Sequence, residues 1–212
     1  MFKNGIPPTI NWSSGGGGGG GETTYAVAAS ADDGVFTATN QSSSFPSGFI
    51  VLGNSATDAK TLRERDEDFG MYTYTKAFFR FQNINISQGA TIQSAYLKVV
   101  YYSGTGTTDL KIVGTDADNA SAPTHASDGA TSLHTSAVVS WSNPSTHSTN
   151  YQTSPDIKTV IQEIVDRGSW ASGNAMMIQT YYDSGGSTKQ ERKARTYDYS
   201  SAAYPAKLVI TI

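Results

Sequence analysis

Beyond position 22 the chain alternates apolar and polar residues over short stretches, the pattern of β-strands with one buried face. In Ala95-Tyr96-Leu97-Lys98-Val99-Val100-Tyr101-Tyr102 one face carries Ala95, Leu97, Val99 and Tyr101. In Lys207-Leu208-Val209-Ile210-Thr211-Ile212 it carries Leu208, Ile210 and Ile212. Strands are predicted over 24–29, 35–39, 48–52, 71–81, 91–102, 110–115, 136–141, 175–182, 192–199 and 207–212. A final strand this apolar belongs inside a sheet, because at an edge it would template pairing with other chains. The cluster Arg63-Glu64-Arg65-Asp66-Glu67-Asp68 alternates in sign and reads as a solvated loop or strand edge.

One segment keeps a different period. Ile157, Val160, Ile161, Ile164 and Val165 fall at i, i+3, i+4, i+7 and i+8, a single apolar stripe on a helix. Ser154-Pro155-Asp156 supplies an N-cap, an N1 proline and a first-turn carboxylate, and Arg167-Gly168 supplies the stop. One amphipathic helix over 154–167 among some ten strands is expected to cap an open end of a β-sandwich, its stripe serving as core. No fixed-period repeat is present, so a solenoid or propeller is not expected.

The run Gly15 to Gly21 holds neither helix nor strand at acceptable entropy cost. It acts as a flexible tether with an r.m.s. span of roughly 15 Å. Three parts result: an anchor peptide at 1–14, a linker at 15–21 and a β-sandwich domain at 22–212. The anchor carries Phe2, Ile6, Pro7, Pro8, Ile10 and Trp12, too few to form a core of their own. A tag and linker is one reading of this head. A peptide that docks onto another subunit is the other, and its apolar residues then need a partner or the body's surface to cover them.

Composition agrees with strands joined by many turns. The 212 residues include 21 glycines and 12 tyrosines, and only 16% are charged. Hydrophobic residues make up 37%, enough for a core in one large domain. With 15 basic against 18 acidic residues and a net charge of −3, the chain lacks the basic stripe that phosphate backbones require. A nucleic-acid partner is not expected. No apolar run approaches the roughly 18 residues of a membrane helix, so no membrane partner is expected either. The absence of cysteine excludes disulfides and thiolate chemistry. Met1-Phe2-Lys3-Asn4-Gly5-Ile6-Pro7-Pro8 has no signal-peptide h-region, which, if it is the native start, implies a protein made and used without Sec export.

Candidate chemistry is sparse. His125, His134 and His147 lie in a Ser/Thr/Asn-rich region without metal or catalytic spacing and read as loop histidines. No GxSxG elbow, P-loop or HExxH occurs, and no catalytic residue is assigned. Asp116-Ala117-Asp118-Asn119 offers oxygens of the kind Ca²⁺ prefers but lacks the glycine and distal glutamate of an EF-hand loop. It reads as a solvated turn, with a structural Ca²⁺ on Asp116, Asp118 and Asn119 as the alternative; no other cofactor is expected. Trp141, Tyr181 and Tyr182 could stack on sugar rings if they share an exposed surface. Tyr181 and Tyr182, adjacent on a strand, send one ring inward and one outward. Arg80 and Arg195 sit in apolar strand contexts, and partners such as Asp68 or Asp198 are expected to pair with them.

Two stretches carry a family resemblance. Ala77-Phe78-Phe79-Arg80-Phe81-Gln82-Asn83-Ile84 is followed by Gly89-Ala90-Thr91-Ile92-Gln93-Ser94-Ala95-Tyr96-Leu97. Later come Ser154-Pro155-Asp156 with its helix, Ser169-Trp170-Ala171-Ser172-Gly173-Asn174-Ala175, Arg195 and the closing strand. Across 22–212 these resemble the DNRLRE-type, carbohydrate-binding-module-like β-sandwich. The resemblance implies a jelly-roll-like sandwich with Trp170 as a packing residue. Such modules sit in large secreted bacterial proteins, in carbohydrate-binding contexts and in phage virion proteins. The expected function is a non-enzymatic virion structural protein, a head-decoration, cement or appendage subunit docked through its N-terminal arm. It would be assembled in host cytoplasm in many copies or as a homo-oligomer. The alternative is a carbohydrate-binding or host-surface adhesin module. A surface-layer or filament subunit is a third reading, one that requires an export signal.

Overall fold

A computed structural model gives the fold and describes residues 21–40, 51–54, 58–66, 71–182, 189–199 and 201–212. The strands are β1 (Glu22–Ala26), β2 (Asp33–Asn40), β3 (Val51–Asn54), β4 (Asp58–Asp66), β5 (Met71–Phe81), β6 (Ser94–Val99), β7 (Tyr101–Thr105), β8 (Asp109–Gly114), β9 (Val139–Ser142), β10 (Gln152–Thr153), β11 (Met176–Tyr182), β12 (Gln190–Arg195) and β13 (Lys207–Thr211). One helix, α1, spans Lys158–Val165. The protein is mainly β. A four-stranded sheet has the order β1-β13-β6-β10, and a larger sheet runs β7-β12-β4-β5-β11-β8-β9, with β2 pairing β5 and β3 pairing β2. The named pairings are antiparallel.

Alternation places the core. Ala95, Leu97 and Val99 on β6 and Leu208 and Ile210 on β13 point from the small sheet inward. They meet Ala77, Phe79 and Phe81 on β5, Ile112 on β8 and Ile178 on β11. Each fully buried Val, Leu, Ile or Phe among them contributes about 1.5–3 kcal/mol. The C-terminal strand lies between β1 and β6, inside its sheet as its apolar face requires.

Helix α1 closes the space between the sheets. Its stripe of Ile157, Val160, Ile161, Ile164 and Val165 is fully buried. Val160 and Ile164 come so close to β8 that a Cβ at Gly114 would stand 2.7 Å from Ile164 Cδ1. The helix begins later than the sequence pattern predicts, at Lys158 rather than Ser154. Ser154 instead serves β6, its hydroxyl accepting from Leu97 N at 2.9 Å and donating to Pro155 O. Asp156 takes the capping role, accepting from Lys158 N at 2.9 Å and from Ala95 N at 3.0 Å.

Two other expectations are corrected. The stretch 91–102 is not one strand. Val99, Val100 and Tyr101 are buried in succession, alternation breaks, and the chain passes from the small sheet (β6) to the large one (β7). The charged cluster from Arg63 is not an edge or a loop up to Asp66: β4 runs between β12 and β5, with Arg63 paired to Gln190 and Tyr74. Glu67 and Asp68, the anchor 1–14 and all of the linker but the exposed Gly21 lie outside the described residues.

Candidate functional site

The outer face of the large sheet is covered by a long excursion, residues 115–138, between β8 and β9. The cross-strand register puts Phe36, Lys76, Phe78, Met177, Gln179 and Tyr181 on this face. Phe36 and Phe78 pack at 4.7 Å between ring centroids. The excursion seats Gly129 on Phe36 so closely that a Cβ there would stand 2.5 Å from the ring. Lys76, fully buried, donates to Gly129 O at 3.0 Å and contacts His134 Nε2 at 3.1 Å. His134 stacks on Tyr181 at 5.5 Å, and the Lys76 ammonium sits 5.3 Å from the same ring. Gln179 Nε2 donates to Thr115 Oγ1 at 3.0 Å.

Burial sets the electrostatics of this cluster. Desolvation lowers Lys76 to about 7. His134 is lowered to about 4, first by burial and then by the Lys76 charge, with the polar side chain of Gln179 opposing. His134 is therefore a neutral acceptor at pH 7 and a packing residue of the layer rather than a free loop histidine. The sequence pattern assigned no role to Lys76; the signal it carries is a cation directly before the apolar run Ala77-Phe78-Phe79. Beside the cluster lies a cavity of about 260 Å³ lined by Thr115, Asn119, Ala120, Asp128, Leu133 and Met177, smaller than most small-molecule sites.

The acidic turn that offers oxygens to Ca²⁺ is held by an arginine. Arg167, just past α1, donates through Nε to Asp118 Oδ1 at 2.8 Å and through Nη1 to Asp116 Oδ1. Asn119 Oδ1 accepts from Ala175 N at 2.9 Å. A cation here would have to displace a guanidinium and a main-chain bond, and the turn reads as a clasp between the excursion and the helix. A shallow groove of about 550 Å³ beside it is lined by Ser136, Gln162, Glu163 and Arg167. Its carboxylates are occupied: Glu163 accepts from Ser136 N, Ser136 Oγ and Ala137 N, Asp166 from Gln162 Nε2 and Asp116 from Arg167.

The aromatic trio does not converge. Register pairs Trp141 with Leu110, which turns the indole into the core against Tyr101 at 5.5 Å; it is 6% exposed. It presents no face to a sugar. Tyr182 shares its face with Leu110 and Tyr181 shares the opposite one with Lys111, one ring to each side of the sheet. Trp170 is core, its Nε1 donating to Ile86 O at 2.9 Å. Arg80 pairs with Asp32 at 2.5 Å, Asp68 lies outside the described residues, and Arg195 lies over the Tyr199 ring at 3.4 Å. The buried Arg192 was not singled out by sequence, because an alternating Gln-Glu-Arg-Lys stretch gives no sign of which charge turns inward. Phe2, Ile6, Pro7, Pro8, Ile10 and Trp12 lie outside the described residues.

Compared with known proteins, the chain matches no protein-family model and no curated protein sequence. The likeness to DNRLRE-type modules therefore rests on the residues quoted above, and the sandwich architecture rests on the fold.

Proposed function

We propose that the chain is a non-enzymatic structural subunit of a multi-copy particle, a bacteriophage head-decoration, cement or appendage protein, held by residues 1–14 and presenting the sandwich outward. The observation that carries this reading is where the tether joins the body. Gly21 is exposed and leads into β1, the edge strand of the small sheet, whose first three residues are also exposed. A polyglycine run at that point lets the apolar head reach roughly 15 Å from the sandwich.

The body's own apolar surface is largely internal. Among the described residues the large apolar side chains with more than a third of their surface exposed are Leu133, Val138 and Ile212. Phe2, Ile6, Ile10 and Trp12 then find cover on a neighbouring subunit, each contributing on the order of 1.5–3 kcal/mol when fully buried. Repetition on a shell multiplies such contacts through avidity. A non-catalytic role is supported by the polar clusters, in which Lys76, Arg167 and Glu163 hold loops onto the sandwich.

The test compares the full chain with one starting at Glu22, by circular dichroism, sedimentation and binding to purified phage heads and tails. The shortened chain is expected to stay folded and soluble while losing the binding that the full chain shows. Equal binding by both would overturn the role of the arm. A glycan-array signal kept by the shortened chain and lost in Tyr181→Ala would replace the particle reading with the adhesin one.

A further inference from the structure

Two crossings between the sheets run side by side. Residues 27–32 carry the chain from β1 to β2, and the return from β12 to β13 is described at 196–199 and 201–206. Val27 N donates to Ala206 O at 3.0 Å, Tyr197 N to Asp33 Oδ2 at 2.8 Å, and Ser30 Oγ to Asp198 Oδ1 at 2.5 Å. Carboxylates thus dominate the seam.

Asp32 is 1% exposed, with Oδ1 on Arg80 at 2.5 Å and Oδ2 on Gln82 Nε2 at 2.6 Å. Asp33 is equally buried, yet its Oδ1 has no hydrogen-bond partner. Asp198 Oδ2, on the other crossing, is buried and also lacks one. The charges of Asp198 and Asp32 both act on Asp33. Arg80 neutralises one of the three carboxylates, while Arg195 is turned onto Tyr199 and donates to Ser148 O. Two buried carboxylate oxygens without donors need a ligand, and buried polar atoms of this kind are rare without a water or an ion. Negative charge on both sides selects a cation, and hard carboxylate oxygens select the Ca²⁺ class.

We propose that Asp33 Oδ1 and Asp198 Oδ2 bind a Ca²⁺-type divalent cation that clamps the β1–β2 crossing to the β12–β13 crossing. Among the described residues no three His, Asp or Glu side chains form a metal group. Main-chain carbonyls, water and the Ser30 hydroxyl must therefore complete the shell, a mixture of oxygens that Ca²⁺ accepts. The site is distinct from the Asp116–Asn119 turn and independent of the particle reading.

The full chain, stripped with EDTA, is melted with and without added Ca²⁺ or Mg²⁺, alongside Asp33→Asn and Asp198→Asn. A rise of about 5–10 °C is expected at Ca²⁺ a hundredfold above its Kd, with one ion per chain by titration calorimetry and a smaller response to Mg²⁺. Neither variant should respond. Asp33→Asn relieves the repulsion, so in EDTA it should melt at or above the wild type, which separates a lost site from a lost fold. A wild type that ignores Ca²⁺ would overturn the proposal, and an EDTA melting temperature that climbs from pH 7 to pH 5 would then assign the pair to a bound proton. A response kept by both variants would also overturn it, by placing the ion elsewhere.

Discussion

Arg192 is the buried charge on which the rim between β7, β8 and β12 depends, and its removal gives a sharp test of that packing. The side chain is 6% exposed. Its Nε donates to Pro144 O at 2.8 Å, Nη1 to Gly106 O at 3.1 Å, Thr108 Oγ1 at 3.0 Å and Glu191 O at 2.8 Å, and Nη2 to Asn143 Oδ1 at 2.5 Å. In Arg192→Leu the buried Pro144 carbonyl loses this donor, at a cost of about 1–3 kcal/mol. Thr108 can turn its hydroxyl to Thr105 O, already at 3.3 Å, and water can replace the donor at the exposed Gly106 and Asn143. Burial also disfavours the guanidinium, pulling its pKa below the ordinary value, so its removal returns part of the loss. The net expectation is a destabilisation of about 1–2 kcal/mol, still a measurable share of the 5–15 kcal/mol typical of a folded domain. Urea denaturation at 25 °C reads this as a lower midpoint at unchanged m-value. Arg192→Lys keeps the charge but cannot fork, and should fall between. A Leu variant as stable as the wild type would refute the reasoning, since bond loss and desolvation would then cancel.

Two further outcomes follow from the packing and the electrostatics. Gly114→Ala places a methyl 2.7 Å from Ile164 Cδ1 and 3.2 Å from Val160 Cγ1 and should cost about 1–3 kcal/mol in thermal melts; Ile164→Val, which removes Cδ1, should recover part of it. Because His134 is lowered from 6.5 to about 4, the folded state resists a proton that the unfolded chain accepts. Its contribution is present above pH 6.5 and is lost as pH falls towards 4, by up to about 3 kcal/mol. Urea midpoints at pH 7, 5.5 and 4.5 should show this slope and lose it in His134→Gln. The comparison belongs in an Asp33→Asn background, since Asp33, raised to about 7 chiefly by burial, acts in the opposite direction.

Local period was enough for much of the fold. The strand Met71–Phe81, the interior placement of the last strand and the α1 stripe all followed from which residues can share a face. Trp170 as core was equally legible, through the resemblance. What failed was whatever depends on the opposite strand. Trp141 looked like a strand-end aromatic, and only its pairing with Leu110 turned it inward. β4 looked solvated because its charges alternate, yet strands pair on both its sides.

The candidate site was less legible than the fold. The Asp116–Asn119 oxygens were visible, but Arg167, which holds them, lies 51 residues from Asp116. Asp33, at the start of β2, and Asp198, on the β12–β13 crossing, stand at opposite ends of the chain, and Lys76 meets His134 across 58 residues. The sequence by itself determined where most strands and the helix form, because those depend on neighbours within a few positions. Only the tertiary structure decided which charges are buried together and which oxygens lack a donor. Those depend on the separation of groups in space, and strand register sets that separation after the chain has folded.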